Sequence, residues 1–332
     1  MSKNLVIATV VLVVVTAAVA WLLIDQQEAV DRTSEAPDFV PAFLLRSFPA
    51  TDWSRTSDRL ADALDGGPGK DGIPSIDEPE FEPLSDWRRE NDVQAIVMED
   101  GDSAKVYPYN ILIWHEIVND TVNDQDVAIT FCPLCGSAIA FNRVLPEDGA
   151  TTFGVSGGLL ESNLIMYDRA TESLWQQSTS EALAGKHLGH RLELVGFQLM
   201  SVGEAKQLYP DGLILSEDTG HRRDYGRNPY SGYEENERLI FRPSVVDASY
   251  PVKDIFVAYR VNDLPVATPW LHIESGQTYQ TRVHEEDITL TKEGSQLTIT
   301  DSEGEEIPFY FEMWFSWAVQ NEDNGVVFDP LD

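Results

Sequence analysis

The two cysteines of this chain lie three positions apart, in Phe131-Cys132-Pro133-Leu134-Cys135-Gly136. This spacing places both thiols on one side of a tight turn, where they can bind one metal ion or close a small disulfide. Short apolar runs, 128–131 and 137–141, stand on either side of the turn. The pattern predicts a β-hairpin that carries both thiols at its tip.

Strand-like runs continue through the body of the chain, from about residue 92 onward, whereas helical patterns are few. The best helical segments are 200–208 and 312–321, and 110–118 is a weaker one. Short runs of β-branched and aromatic residues are typical of strands. The sequence therefore predicts a β-rich α+β fold.

The N-terminal region contains 20 uncharged, mostly aliphatic residues from Leu5 to Ile24, after Lys3. A helix of that length crosses the hydrocarbon core of a bilayer, and a basic residue before it favours a cytoplasmic N-terminus. We therefore expect residues 1–4 in the cytoplasm, a single transmembrane anchor at 5–24 in the cell membrane, and an extracytoplasmic body. A cleaved signal peptide is the alternative, because Ala18-Val19-Ala20 has the small-x-small form.

The rest of the chain divides at a stretch rich in Gly and Pro, 65–74. We expect an acidic stalk over 25–67 and a globular domain over 68–330. Within that domain, 200–207 resembles 313–320 at an offset of 113, and 95–108 resembles 256–269 at an offset of 161. Two degenerate repeats are therefore predicted, with half one about 92–220 and half two about 250–330, and only half one carries the cysteines.

The composition is strongly acidic, with a formal net charge of −33 and 16 Arg against only seven Lys. A dense layer of carboxylates keeps a protein hydrated in high salt, where repulsion between them is screened. We therefore expect a halophilic source. Nucleic acid is excluded as a partner, because its phosphates would be repelled.

Several separate blocks of the chain together resemble the DUF3179 family, whose members are described only as proteins of unknown function. The blocks are Asp71-Gly72-Ile73-Pro74-Ser75-Ile76-Asp77, Tyr107-Pro108, 114–120, Thr130-Phe131-Cys132-Pro133-Leu134-Cys135-Gly136-Ser137-Ala138, 153–157, 163–169, 172–175, 223–225 with 229–230, and Trp314-Phe315-Ser316-Trp317-Ala318. The resemblance covers roughly 68–329. Together with the acidic composition and the N-terminal apolar run, it indicates a membrane-anchored, haloarchaeal-type acidic member of that family. The resemblance supplies no activity, so the function has to be argued from the residues.

A metal site is the first hypothesis for the cysteine pair. His115 is the leading third ligand to Cys132 and Cys135, because imidazole and thiolate suit zinc and copper. Met166 is a candidate soft ligand that would favour copper. The expected cofactor is one zinc or copper ion.

Other polar residues are candidates for the surroundings of that site. Glu116 follows His115 directly and is expected to orient it or to accept a proton. The other candidates, which would line a cleft or form an ion pair near the site, are Asp168, Arg169, Arg223, Asp224 and Tyr225.

Three roles stay open on these observations. The first is an extracytoplasmic domain that binds one transition metal for metal handling or electron transfer. The second is a metal-free thiol–disulfide oxidoreductase that uses the same cysteines. The third is a binding or scaffold module with a structural cysteine pair, so the sequence does not decide whether the protein is an enzyme.

Overall fold

Strands form most of the fold, with 39% strand against 13% helix. The computed structural model describes residues 34–331. In chain order the strands are β1 Leu64–Asp65, β2 Phe81–Pro83, β3 Gln94–Asp100, β4 Ser103–Pro108, β5 Ile117–Val122, β6 Gln125–Cys132, β7 Ser137–Asn142, β8 Val144–Leu145, β9 Gly149–Ala150, β10 Phe153–Leu160, β11 Asn163–Asp168, β12 Leu174–Gln176, β13 Ala182–Ala184, β14 Gln198–Ser201, β15 Leu213–Leu215, β16 Ile255–Val261, β17 Leu264–Pro269, β18 Gln277–Val283, β19 Glu286–Glu293, β20 Gln296–Thr300, β21 Phe309–Met313 and β22 Val326–Val327. The α-helices are α1 Ala42–Ser47, α2 Tyr109–His115, α3 Val202–Leu208 and α4 Trp314–Gln320, and short 3-10 helices lie at Asp58–Asp62, Leu84–Asp86 and Trp270–His272.

The strands form three larger sheets around a buried core. A seven-stranded sheet has the order β22-β17-β16-β21-β7-β6-β5, and two five-stranded sheets have the orders β14-β3-β4-β15-β2 and β1-β10-β11-β12-β13. A fourth sheet has three strands in the order β18-β19-β20, and β8 pairs with β9. The largest apolar cluster contains side chains of β5, β6 and β7, which explains why these strands read as nearly continuous apolar runs.

The expected α+β fold with a transmembrane helix needs a correction. Among residues 34–331, no helix has the length and apolar character that crossing a membrane requires. The segment predicted to span the bilayer, 5–24, lies outside the described residues, as does the cytoplasmic segment 1–4. The described fold is a β-rich domain with four short helices, and the predicted orientation in the membrane stays a prediction.

The segment 40–63, which falls within the expected stalk, packs on the globular body. Leu44, Phe48, Trp53 and Leu60 are fully buried and share a core with β11, β12 and β13. The indole Nε1–H of Trp53 donates to the Phe48 carbonyl at 3.0 Å. Large apolar residues are spaced through this otherwise acidic region, and their burial makes the segment part of the domain.

Two four-stranded units have the same topology. The first unit has the strand order β14-β3-β4-β15, and the second has the order β21-β16-β17-β22. In both units the first two strands of this order are antiparallel and the last two are parallel. Ala95 pairs with Pro108 and Phe256 pairs with Pro269, so the hairpins match at an offset of 161. The helices that follow the outer strands begin at Val202 and Trp314, an offset of 112.

Each unit contains an insertion that packs against the other unit. The insertion between α2 and β14 supplies β7, which pairs with β21 where Ala138 lies opposite Phe311. The insertion between β17 and β21 supplies β20, and the Gln198 side chain of β14 exchanges two hydrogen bonds with the Leu297 backbone, both at 2.9 Å. Because the insertion of the first unit packs against the second unit, the cysteine hairpin, β6–β7, lies against β21 and α4.

Candidate functional site

The cysteine turn connects β6 to β7 as the flanking apolar runs predict. Cys132 is the last residue of β6, and the N–H of Cys135 donates to the Cys132 carbonyl at 3.2 Å. The turn closes at Gly136, whose φ of 57° is left-handed and where an added Cβ would lie 3.0 Å from side-chain atoms of Ile255 and Met313, a tight contact. The Met313 N–H donates to the Cys135 carbonyl at 2.8 Å, which fixes the turn to the end of β21.

The two thiols are free and differ in their surroundings. Cys132 retains 3% of its exposure and Cys135 none. The Cys135 thiol donates to the Ser162 carbonyl at 3.0 Å. Burial raises the pKa of the Cys135 thiol well above its usual value, and a hydrogen bond with Cys132 and the charges of Cys132 and Glu312 raise it further, while a hydrogen bond with the Ser316 hydroxyl acts in the opposite direction. Cys135 is therefore held as a thiol next to the side chain of Cys132.

A buried carboxyl group lies behind Cys135. Glu312 on β21 is fully buried, and it accepts hydrogen bonds from the hydroxyls of Ser316 at 2.6 Å, Ser178 at 2.8 Å and Ser137 at 3.3 Å. Burial raises the pKa of Glu312 to about 7, although the three hydroxyls act to lower it. The sequence reasoning missed this residue, yet a lone acid within the apolar run Phe309-Tyr310-Phe311-Glu312-Met313 is a signal that could have found it.

The structure commits His115 to two hydrogen bonds. Its Nδ1 lies 2.7 Å from the Pro74 carbonyl and its Nε2 lies 2.7 Å from the Tyr225 hydroxyl. Because a carbonyl only accepts, Nδ1 is the protonated nitrogen and Nε2 accepts from Tyr225. Burial lowers the pKa of His115 to about 4 despite the bond to Pro74, so the ring is neutral and its one lone pair is already used.

Glu116 lies at the same helix end with its carboxyl group buried. Its φ of 58° places it in the left-handed conformation that ends α2. Within residues 34–331 no hydrogen bond or ion pair to its carboxylate is found, and burial alone raises the pKa of Glu116 to about 8. The charges of Glu116 and of Cys132 both act on the Tyr230 hydroxyl, after burial, to raise its pKa to about 12. Glu116 and Cys132 therefore both lie within electrostatic range of the Tyr230 hydroxyl.

Two other predicted residues, Met166 and Asp168, belong to β11, whose five-stranded sheet shares no strand pair with β6 or β7. Met166 is fully buried in β11, opposite Val155 and Trp175. Asp168 is also fully buried, and its carboxylate accepts from Thr171 and from the indole of Trp175 at 2.9 Å. These contacts give Met166 and Asp168 structural roles in the core.

Arg169 joins that sheet to the segment that precedes the body. Its guanidinium donates to Asp71 at 3.0 Å, to Ser75 at 3.1 Å and to the Phe153 carbonyl at 3.0 Å. The expected ion pair of Arg169 with Asp168 is not formed, because Asp168 is already saturated by neutral donors. Arg169 instead holds the segment 71–77 onto β10.

A long irregular segment covers the cysteine turn. Residues 217–254, here called the strap, contain no helix or strand and connect β15 to β16. The Tyr233 hydroxyl donates to the Leu134 carbonyl at 2.9 Å, and the ammonium group of Lys253 lies 3.4 Å from the centre of the Tyr233 ring. The strap thus contacts Leu134, one of the two residues between the cysteines.

The predicted cleft residues 223–225 belong to the strap. The Tyr225 hydroxyl reaches His115 and lies 2.6 Å from the Thr219 hydroxyl. The Arg223 guanidinium lies 5.9 Å from the centre of the Trp114 ring. Asp224 accepts the Gly226 N–H at 3.2 Å within the loop itself. The structure therefore brings Tyr225 to the site, places Arg223 beside it and gives Asp224 a local role.

The donor set does not form a metal centre as the residues lie. Within the part of the chain that the structure describes, no group of three or more His, Cys, Asp or Glu side chains is arranged to hold a metal ion. Two thiols are together, but the Nε2 lone pair of His115 accepts from Tyr225. The predicted zinc or copper ion stays a prediction.

Comparison with known proteins gives one match. The family model described as "Protein of unknown function (DUF3179)" matches residues 70–308, which is more than half of the chain. No curated protein and no solved structure matches. The matched range includes the cysteine turn, His115, Glu116 and the strap. The chain therefore belongs to the DUF3179 family.

Proposed function

We propose that this protein is a thiol–disulfide oxidoreductase whose reactive pair is Cys132 and Cys135. One observation carries the proposal: two free cysteines stand in one tight turn, where backbone hydrogen bonds join Cys135 to Cys132 and to Met313, and one of the two is fully buried. Two thiols at this spacing can close a disulfide within the turn and can exchange it with a partner disulfide.

The two cysteines have different roles in the proposed reaction. Cys135 has no exposure and is held as a thiol by burial, so Cys132 makes the first attack. The Cys132 thiolate attacks one sulfur of a partner disulfide, the partner's S–S bond breaks, and the other partner sulfur leaves as a thiolate and takes up a proton. Cys135 then loses its proton and attacks Cys132, which releases the second partner sulfur as a thiol.

In the proposed reaction, one disulfide is formed for each disulfide that is broken. The protein loses two electrons and two protons from its two thiols, and the partner disulfide gains them as two thiols. The reverse sequence oxidises a partner dithiol. The oxidant or reductant is in either direction a second disulfide or dithiol, so no bound cofactor is required.

The strap controls access to the pair in this proposal. Cys132 retains only 3% of its exposure, and the Tyr233 hydroxyl donates to the carbonyl of Leu134, which lies between the cysteines. Local opening of irregular segments is the usual route by which covered groups react. A partner disulfide therefore reaches Cys132 when the strap opens at Tyr233.

The test is a redox titration of the full chain in glutathione buffers, with the Cys132–Cys135 disulfide measured by mass spectrometry after acid quenching. We expect a single two-electron transition between about −120 and −300 mV, the range of proteins that exchange disulfides. The Cys135→Ser variant should accumulate a mixed disulfide with glutathione on Cys132. The Cys132→Ser variant should accumulate far less on Cys135, because that thiol is buried. A wild-type chain that stays reduced at every glutathione ratio would refute the proposal.

A further inference from the structure

We infer that the exposed arginines of the strap bind an acidic segment of the protein whose disulfide is exchanged at Cys132. The role of that partner as a disulfide substrate rests on the proposed function, whereas its binding rests on the surface of the strap alone. Arg222, Arg223 and Arg227 stand close together in the strap, and all three are exposed. They are here called the arginine patch. Because grouped guanidiniums attract carboxylates, the patch indicates an anionic partner.

The protein itself leaves the arginine patch without a counter-charge. Within residues 34–331 none of the three guanidiniums forms an ion pair, although the chain has 56 acidic residues against 23 Lys and Arg. Asp224 lies within the patch, but its carboxylate accepts the N–H of Gly226 at 3.2 Å. Glu217, at the start of the strap, accepts from Arg89 at 2.8 Å. The arginine patch is therefore available to a carboxylate of another molecule.

Two residues of α2 fix the patch in place. The Arg223 guanidinium lies 5.9 Å from the centre of the Trp114 ring, and the indole N–H of Trp114 donates to the Arg227 carbonyl at 3.2 Å. The Asn110 amide donates to the Tyr225 carbonyl, also at 3.2 Å. Because the backbone of 223–227 is already held against α2, less conformational entropy is lost when a ligand binds the arginines.

The patch lies close to the thiol that makes the first attack. Trp114 stands two positions before Glu116, and the Glu116 carbonyl accepts the N–H of Phe131 at 2.8 Å. Phe131 is the residue before Cys132. An extended chain advances about 3.3 Å per residue, so a partner cysteine that lies a few positions from the bound acidic residues reaches the cysteine turn.

The segment that binds the patch carries several carboxylates rather than one. A single exposed ion pair stabilises a complex very little, whereas several pairs made by one segment act together. Each planar guanidinium can bind both oxygens of a carboxylate, which favours carboxylates in matching positions. A short acidic stretch of polypeptide therefore fits three exposed arginines that stand close together.

Nucleic acid fits this surface less well than an acidic polypeptide does. In the sequence, the arginine patch lies between Asp218 and Glu234, and the whole chain has a formal net charge of −33. A nucleic acid carries a long row of phosphates, and those beyond the patch would be repelled. A short acidic segment avoids that repulsion, and the acidic surface elsewhere orients its protein so that the segment faces the strap.

The experiment compares disulfide exchange between the full chain and two peptides. Each peptide is a symmetric disulfide, with one cysteine after a run of glutamates in the first and after a run of glutamines in the second. The rate at which the Cys132–Cys135 disulfide forms is followed by mass spectrometry after acid quenching. In wild type we expect the glutamate peptide to react about tenfold faster at low peptide concentration, and this ratio should fall as KCl is raised, because salt screens exposed ion pairs.

A matched pair of double variants separates the arginine patch from the general charge of the protein. Arg222→Gln with Arg227→Gln should lower the ratio of the two rates to about twofold, because it removes two of the three guanidiniums. The control, Arg46→Gln with Arg55→Gln, removes two exposed arginines from the segment 40–63, which packs on β11, β12 and β13. The control should keep the wild-type ratio. A ratio of two rates in one preparation does not depend on the folded fraction.

Binding without thiol chemistry is measured with a cysteine-free glutamate peptide that carries an uncharged dye, by fluorescence anisotropy. This peptide should bind the wild type and the control about tenfold more tightly than the variant with Arg222→Gln and Arg227→Gln. A single-stranded oligonucleotide of equal charge, with the same dye, should bind the wild type more weakly than the peptide. An oligonucleotide that binds as tightly or more tightly would overturn the assignment of an acidic polypeptide.

Failure of the inference and failure of the proposed function give different results. Equal rates with the two peptides in wild type, or an equal loss of the ratio in both double variants, overturn the inference and leave the proposed function standing. Binding of the glutamate peptide without exchange of either peptide disulfide refutes the proposed function and leaves the arginine patch as a binding surface.

Discussion

Glu116 should make the protein less stable as the pH rises, and Glu116→Gln should remove that effect. The carboxyl group is buried with no partner found among the described residues, and burial raises its pKa from 4.5 to about 8. A group whose pKa is raised in the folded state stabilises the fold below its unfolded pKa and loses that contribution as the pH rises through the folded pKa. The loss therefore falls between pH 4.5 and about 8.

The size of the effect follows from the same values. A rise in pKa from 4.5 to about 8 corresponds to about 5 kcal/mol in the free energy of unfolding, at about 1.4 kcal/mol per pH unit. The assay is urea unfolding followed by tryptophan fluorescence between pH 5 and pH 8, in molar salt so that general repulsion among the carboxylates is screened. In wild type, Glu116 makes the free energy of unfolding fall by about 1.4 kcal/mol per pH unit, and Glu116→Gln should remove that part of the fall.

A matched control uses a carboxylate that lies in solvent. Glu303 is exposed in the turn after β20, so Glu303→Gln changes the net charge by the same amount without changing the interior. This variant should keep the wild-type slope. Equal slopes in wild type and Glu116→Gln would show that Glu116 is ionised and solvated in the folded protein, and the argument for a buried acid beside Cys132 would fail.

Three further predictions concern the turn, the strap and the charge. Gly136→Ala should lower the free energy of unfolding by about 2–3 kcal/mol, because it adds strain at positive φ and crowds the side chains of Ile255 and Met313. The control is Gly101→Ala, which is also at positive φ but has nothing within 4 Å of an added Cβ, and it should lose only about 1 kcal/mol. Tyr233→Phe removes the hydrogen bond between the strap and the turn, so alkylation of Cys132 should become about fivefold faster, and Tyr209→Phe is the control. An alkylation rate equal to that of wild type would show that the strap does not control access to Cys132. The net charge of −33 predicts a melting temperature that rises from dilute buffer to molar KCl, and identical melting curves would contradict the halophilic interpretation.

Local patterns predicted much of the backbone. The apolar runs around the cysteines form β6 and β7, and the two best helical segments, 200–208 and 312–321, contain α3 and α4. The weaker segment, 110–118, overlaps α2, Tyr109–His115, which ends at His115 because Glu116 adopts positive φ and β5 begins at Ile117. Each of these features depends on residues close in sequence, so composition and periodicity were enough.

The assignment of site residues was less complete. The predicted site of Cys132, Cys135, His115, Glu116 and Tyr225 stays a prediction; in the structure His115 and Tyr225 are hydrogen-bonded to each other, and the Glu116 carbonyl accepts the N–H of Phe131, the neighbour of Cys132. Met166 and Asp168 are core residues of another sheet, because their spacing in an alternating strand says nothing about which sheet the strand joins. The expectation of a free histidine ligand depended on the absence of a partner, and the partner, Tyr225, lies 110 positions away.

The sequence by itself determined the hairpin, the cysteine turn, the short helices and the family, because these follow from neighbouring residues. Only the tertiary structure decided the chemistry around the thiols. Glu312 lies 175 positions from Ser137, and Tyr233 lies 99 positions from Leu134, yet both pairs are hydrogen-bonded. Such contacts arise because the insertion of one unit packs against the other and the strap folds back over the turn. The burial that shifts the pKa values of Cys135, Glu116 and Glu312 exists only after that packing, so no local pattern could reveal it.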